Sequence, residues 1–451
     1  MRDEGEAMEL LEHVLAAARA AGADAADALL AISQSRSVSV RKGQLEDASQ
    51  SDTQDLGLRV FVGRRSAQVA TSAFAGDALA AAAGRAVAMA RLAPEDPFAG
   101  LADAALLARG SLPALDLHDP EVARLAPARL RDLALEAEEE ALMVAGVTDS
   151  EGAGASAAES LTALATSTGF RGSRRGTSIS LSVSVIAGTG SAKQGDHDWA
   201  QTRFLDGLED PRAIGRTAGT RAVARLNPVR LETGPMPVLF EPRVAASLLG
   251  HLVAAMSGPA IARGTSFLKD SEGAMLFDPA VEILDDPWRR RGVASRAFDG
   301  EGLPTAPMTL VGAGRLGPFL LDSASARQLG RKPTGHASRG IGGAPGVATS
   351  NLHLAPGADS VAALMAGIGR GLYVTELIGM GVNGLTGDYS RGAAGFAIRD
   401  GALAEPVTEA TIAGNLRDMF AALTPADDLV FRRATNSPTV RIDGLMVAGR
   451  D

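Results

Sequence analysis

The chain contains no cysteine, only six histidines, and few aromatic residues (two Trp, two Tyr and 13 Phe among 451 positions). Without cysteine there can be no disulfide framework, no thiolate metal site and no cysteine nucleophile. The histidines are His13, His118, His197, His251, His336 and His353, and no two of them stand at the short spacing of a metal-ligand motif. His336 and His353 fall in glycine-rich, loop-like sequence and are expected to be solvated. A serine nucleophile has no Gly-x-Ser-x-Gly elbow to sit on. Long apolar runs are missing as well. The most apolar stretch, Ala78 to Ala90, is interrupted by Arg85 and closed by Arg91, far short of the ~18 residues of a membrane span. The opening residues Met1-Arg2-Asp3-Glu4-Gly5-Glu6 lack the basic start and apolar run of a secretory signal. These absences lead to the expectation of a cytoplasmic protein with no membrane role.

What is present is a globular balance, 46% apolar and 22% charged residues with 52 glycines, in a chain long enough for two or three domains. A net charge of −9 and a pI near 5.3 argue against a general nucleic-acid binder. One basic stretch stands out, residues 323–358, with Arg327, Arg331, Lys332 and Arg339 and no carboxylate. A solvated glycine-rich loop is the expectation there, ahead of a phosphate site.

Periodicity divides the chain. Leu10, Leu11, Val14, Leu15 and Ala18 place a helix over 7–21, stopped by Gly22. Val38, Val40 and then Leu56, Leu58, Val60, Val62 alternate around a Lys42-Gly43 turn, which reads as a meander of short antiparallel strands. Helices are expected over 77–92 and 127–145, the latter carrying Glu138, Glu139 and Glu140 on a face expected to be solvated. Ile179, Leu181, Val183 and Val185 alternate with Ser178, Ser180, Ser182 and Ser184, the clearest strand in the chain, with one face in the core. A helix over 211–226 ends at Asn227-Pro228, where we place the boundary between an N-terminal α+β domain (1–226) and a C-terminal, mainly antiparallel β domain (227–451), barrel-like or sandwich-like. Strands are expected near 237–240, 281–284, 308–311, 318–321, 371–378 and 394–398, with a helix over 242–257 opened by Pro242. The segment Gly312-Ala313-Gly314-Arg315-Leu316-Gly317 has the spacing of a dinucleotide fingerprint, but Pro318 and an apolar run follow in place of a helix, so it reads as a hairpin turn.

Several blocks carry a family resemblance: Arg263-Gly264-Thr265-Ser266-Phe267-Leu268, Ser323 to Gly330, Val374-Thr375-Glu376-Leu377, Gly387-Asp388-Tyr389-Ser390-Arg391-Gly392, and Pro406 to Leu416. They resemble the TldD/PmbA (TldD/TldE) family, also described as modulators of DNA gyrase, over nearly the whole chain and most specifically over 240–420. The resemblance implies a two-subunit metallopeptidase acting on unfolded or short peptides. Its metal-bearing member has a His-Glu pair and a second His on the helix before the Arg-Gly-Thr-Ser block, with a cysteine near the C-terminus. Counted back from Arg263, those positions are Leu249, Gly250 and Ala254 here. A catalytic zinc takes about three protein ligands, and this helix offers only His251, at an offset that matches none. The resemblance therefore implies a metal-free subunit with no cofactor of its own, paired with a zinc-bearing, TldD-like partner. Asp388, Tyr389, Arg391, Arg263 and His251 are its candidate substrate-channel residues. Left open are a non-enzymatic homodimer that binds a regulator, and an independent hydrolase with an unrecognised site.

Overall fold

Helix α1 (Glu4–Ala20) starts at a capping box in which the Asp3 carboxylate accepts the Glu6 N–H and Glu6 accepts the Asp3 N–H. The computed structural model to which it belongs describes residues 2–449. After α1, β1 (Ala25–Arg41), β2 (Gln44–Val62) and β3 (Arg65–Thr71) run as hairpins, followed by α2 (Gly76–Leu92), the short α3 (Pro120–Ala123) and α4 (Pro127–Met143). β4 (Val147–Thr166), β5 (Arg171–Ala187), β6 (Gln194–Thr202) and α5 (Pro211–Ala224) complete the N-terminal half. The six strands form one antiparallel sheet in the order β3-β2-β1-β4-β5-β6.

Strand alternation decides which face goes where. Even-numbered residues of β1, from Ala26 to Ile32 and again at Val38 and Val40, are buried beneath α1, α2, α4 and α5. Ile179, Leu181, Val183 and Val185 of β5 join that core, as their spacing predicts. The opposite face of β1 carries Asp27 and Leu29, and it is covered by the C-terminal half through Phe298, Leu303 and Ile341.

The C-terminal half opens with β7 (Gly234–Phe240), α6 (Pro242–Met256) and α7 (Gly258–Ala262). Short strands β8 (Ile283–Asp285), β9 (Met308–Gly312) and β10 (Arg315–Leu316) precede α8 (Ser323–Leu329). Then come β11 (Ala337–Ser338), β12 (Gly346–Val347), β13 (Leu352–Leu354) and α9 (Val361–Met365). The long strands β14 (Arg370–Ile378), β15 (Asp388–Arg399) and β16 (Ala402–Asn415) are followed by α10 (Leu416–Ala421), β17 (Leu423–Pro425), β18 (Thr435–Asn436) and β19 (Val440–Ala448). Strands β16-β15-β14-β7-β19 are joined in that order, and β19 pairs back to β16, so the ring closes as a five-stranded barrel. Only β7–β14 is parallel within it. Closure removes the exposed edges an open sheet would leave. The fold is α+β, with a barrel chosen over a sandwich. No helix among the described residues is long and apolar enough to cross a membrane.

Several sequence expectations are corrected. The first strands are long, 17 and 19 residues; the ladder to β4 carries β1 well past its apolar part, and the polar, exposed half of β2 gave no alternation to read. Glu138 is buried rather than solvated, because its carboxylate accepts the N–H groups of Lys42 and Gly43, each at 2.8 Å, and pins the hairpin turn. Residues 318–321 form no ladder: Phe319, Leu320 and Leu321 are buried singly, and Leu320 makes only a bridge to Ser257. The preceding segment is the expected hairpin, with Ala313 and Gly314 at φ 47° and 72°. A Cβ on Gly314 would lie 2.5 Å from the Phe277 carbonyl oxygen, so glycine is required. His336 is buried, its Nε2 3.3 Å from Asp285, and His353 is half-buried with its ring against Phe431.

The basic stretch is only in part the expected solvated loop: Lys332 and residues 342–344 are exposed, but three of its arginines are tied to the protein. Arg327 donates to the carbonyls of Phe98, Gly100 and Leu101, Arg331 pairs with Glu272, and Arg339 reaches Asp27 at 2.6 Å. Asp27, 1% exposed, also holds Arg59 through both carboxylate oxygens. Burial works against the Arg59 charge, and Asp27 more than offsets it, so the pKa is raised. Gly57 lets the Arg339 segment close on β2, since a Cβ there would meet the Ile341 carbonyl oxygen at 2.1 Å. Replacing Asp27 with Asn leaves two buried guanidiniums without a carboxylate in direct contact, Glu301 and Asp322 acting only from a distance, and is expected to cost about 3–5 kcal/mol. Chemical denaturation checks this; a loss below about 1 kcal/mol, the worth of an exposed pair, would contradict the assignment.

Candidate functional site

Helix α6 presents two faces. Ala245, Leu248, Leu249, Leu252, Ala255 and Met256 are buried in the barrel core, as expected of an amphipathic helix. Gly250 and Ala254 are exposed, with His251 between the two faces. Beside this second face lies a cavity of about 330 Å³ lined by His251, Ala254, Thr265, Phe267, Met380 and Leu416 among others. The Arg263–Leu268 block shapes its wall: the Ser266 hydroxyl donates to the Ala255 carbonyl, and the Phe267 N–H donates to the Gly384 carbonyl. This couples the end of α6 to the segment between β14 and β15.

The sequence-derived residues distribute unevenly around the cavity. His251 and Ala254 line it. Leu249 does not; its side chain is 2% exposed within the barrel core. Gly250 faces open space, with no atom of another element within 4 Å of where a Cβ would stand. Arg263 ends α7 and is exposed. Asp388, Tyr389 and Arg391 belong to β15, not to a loop, paired with Asn415, Gly414 and Ile412 of β16. Asp388 points away from Arg391 by strand alternation and makes no ion pair with it. Its carboxylate accepts from the Thr386 hydroxyl at 2.6 Å and from the Asn415 amide at 3.2 Å, and these bonds hold its pKa below the usual range. It fastens a turn.

Tyr389 and Arg391 share the other strand face with Ala393, and Tyr389 stacks edge-on against His251 at 6.0 Å. Two buried polar nitrogens here have no hydrogen-bond partner, His251 Nε2 and Arg391 Nε, and the buried Tyr389 hydroxyl has only Arg391 beside it. Burial lowers the His251 pKa and Arg391 lowers it further, while burial pushes Tyr389 up to about 12. Both rings are thus neutral near pH 7, beside one cation. Such unpaired groups are costly in a folded protein and call for a role.

A metal does not fit. Among the described residues no carboxylate lines the cavity, His251 is the single imidazole on it, and Arg391 adds positive charge. Nor does any cluster of three or more His, Asp or Glu suitable for a metal occur among the described residues. Position 249 is turned into the core, and in a regular α-helix residues five apart point about 140° apart, so 249 and 254 do not converge. The site contains polar groups for holding a ligand and lacks a nucleophile paired with a base. Met380, 87% exposed, was not singled out from sequence; an isolated Met in the glycine-rich run Gly379-Met380-Gly381 was the available signal.

Three family models tile the chain: PmbA/TldA metallopeptidase domain 1 over residues 26–90, the central domain over 120–226, and the C-terminal domain over 233–449. The metalloprotease PmbA of Escherichia coli is 35% identical over 429 residues, 95% of this chain and 93% of its own. A PmbA homolog of Haemophilus influenzae is 34% identical over 99% of this chain and 97% of its own. Among solved structures, a protein of Bacteroides thetaiotaomicron described as a candidate modulator of DNA gyrase superposes with a TM-score of 0.91 at 25% identity, covering 99% of both chains. TldE from Thermococcus kodakarensis superposes with a TM-score of 0.87 at 20% identity over 98% of this chain and 100% of its own. With all three domain models matched in order and relatives aligned along almost its entire length, the chain belongs to the PmbA/TldD metallopeptidase family.

Proposed function

We propose that this chain is the metal-free subunit of a PmbA/TldD-type peptidase, pairing with a zinc-bearing, TldD-like relative and confining unfolded or short peptides for cleavage at the partner's metal. The observation that carries the reading is the cavity beside α6, whose lining lacks carboxylates and takes only Ala254 of the three metal-site positions, Leu249 being in the core and Gly250 facing open space. The same cavity has an apolar rim. Met380 lines it, and Ile378 and Leu385 in the same segment are 57% and 59% exposed. A cluster of exposed large apolar side chains beside a cavity suits a protein or peptide partner.

His251 on the cavity lining, with the Arg391 charge behind it, would face an extended peptide, whose main chain can be held largely without regard to sequence. The reaction itself needs a metal-bound water and a base, and both would come from the partner. The site of action would be the cytoplasm. A second reading, a homodimeric regulator without hydrolysis, draws support from the description of the Bacteroides neighbour. Sedimentation of this chain mixed with a TldD-like relative separates the two: a one-to-one complex favours the peptidase, and an unchanged homodimer favours the regulator.

Met380→Asp is expected to weaken that complex at least about tenfold, the scale of losing a central apolar contact, without lowering the melting temperature of the isolated chain. Unchanged affinity would remove the 378–385 rim from the interface. Metal analysis of the dialysed chain is expected to find no stoichiometric zinc. The triple substitution Leu249→His, Gly250→Glu, Ala254→His is expected not to gain tight zinc binding, and to lose about 2–5 kcal/mol from the buried Leu249 position. One tightly held zinc in either protein would overturn this account of the helix.

A further inference from the structure

On the covered face of the N-terminal sheet, far along the chain from α6, lies a second cavity of about 320 Å³ between the two halves of the protein. Ser160 and Thr162 of β4 and Arg174 of β5 form one wall, and Arg203, Arg296 and Ser338 contribute to the other. Four arginines line it, and no carboxylate does among the described residues. Only one is neutralised directly: Arg175 pairs with Glu159 at 2.7 Å.

The others lack counter-ions at contact distance. Arg203 donates to the carbonyls of Gly292, Thr177 and Val293, which uses three of its five N–H donors and leaves its charge. Arg296, 9% exposed, donates to the Ala348 carbonyl while its buried Nε has no partner. The Arg174 side chain is exposed where it lines the cavity and makes no hydrogen bond or ion pair among the described residues. Burial, with the Arg174 charge adding to it, pulls Arg203 down to about 10. Asp285 and Asp299 partly offset the charge of Arg296 from a distance. Asp299 itself is occupied by the N–H groups of Glu301, Leu303 and Ala337, and Asp285 faces Ser350 N–H and His336.

A larger cavity, about 630 Å³, shows the contrast in three of its four arginines, the fourth, Arg433, lying over the Trp199 ring. There Arg221, Arg243 and Arg432 meet Asp198, Glu241, Asp196 and Glu209 in direct ion pairs. Protein interiors do not keep guanidiniums together without compensation unless something else supplies it. Clustered, forked N–H donors match a tetrahedral oxyanion, and more than one unneutralised cation favours a dianion over a monocarboxylate.

We propose that this cavity is a binding site for a small dianionic oxyanion of the phosphate class, free phosphate or a phosphate monoester, held by Arg174, Arg296 and Arg203 with the neighbouring hydroxyls of Thr162 and Ser338. It bridges residues of β4 and β5 to segments of the C-terminal half, so its occupant ties the two halves together. The proposal stands apart from the peptidase reading, since it involves none of the α6 cavity.

The test is calorimetric titration and thermal denaturation of the full chain, prepared in phosphate-free buffer, with inorganic phosphate, glycerol phosphate or acetate. Phosphate is expected to bind and raise the melting temperature of the parent protein, with acetate at least about tenfold weaker. Binding by glycerol phosphate too would assign the site to monoesters, and binding by phosphate alone would assign it to the free ion. Arg174→Gln is expected to weaken phosphate binding about tenfold or more. Because Arg174 has no protein partner, the variant should melt no lower than the parent without phosphate, which separates a lost ligand contact from a lost structural one. Absence of phosphate binding, equal binding of acetate, or an equal phosphate shift in parent and variant would overturn the proposal.

Discussion

Asp27 occupies a position that the sheet's alternation forces toward the second half of the molecule, and most of the architecture follows from how its charge is met. The helices cover one face of the six-stranded sheet, so residues of opposite parity on β1 need another cover. The C-terminal half provides it, with Phe298 and Leu303 packing on Leu29 and Leu164. The seam also buries charge: Arg59 from the sheet and Arg339 from the C-terminal half converge on the one carboxylate. Breaking a buried pair costs more than forming it gains, which makes such a contact a device of orientation more than of net stability. Glycine at position 57 is the steric counterpart, since the Ile341 backbone occupies the space of a side chain.

That fixed seam has consequences for both cavities. The barrel holds α6 by its apolar face, so the orientation of His251 and Ala254 toward the α6 cavity is set by packing rather than by ligand bonds. What a metalloenzyme would use to hold an ion is here a small-residue surface with a neutral imidazole, a neutral phenol and a guanidinium beside it. Under the proposed function, such a surface serves recognition. Across the seam, Arg174, Arg203 and Arg296 line the other cavity without a carboxylate at contact distance, and like charges gathered there are the setting of the proposed anion site.

Much of the fold was legible because apolar periodicity reports burial directly. Leu11, Val14 and Leu15 marked α1, the Ile179–Val185 alternation marked β5, and Ala313-Gly314 marked a hairpin. Legibility ended where burial was polar or where pairing was not apolar. The exposed half of β2 pairs through its backbone, so its side chains carried no signal. Glu138, Arg339 and His336 looked like solvent-facing residues because composition cannot show a partner that lies far away along the chain. The α6 site was located through family resemblance at Arg263–Leu268; bottom-up, nothing distinguished His251 from an ordinary helix residue. The contact between His251 and Tyr389 joins residues on different elements and needed the closed barrel to be seen.

In the proposed division of labour, this chain contributes recognition and confinement while a metal-bearing relative contributes bond cleavage. Hydrolysis of an unfolded peptide by the purified subunits, separately and mixed, with and without a chelator, tests it most directly. The account predicts little activity from this chain alone, strong chelator-sensitive hydrolysis on mixing, and loss of that activity when the partner's His-Glu pair is replaced while the complex stays assembled. Full activity of the partner by itself, unaffected by adding this chain, would contradict it.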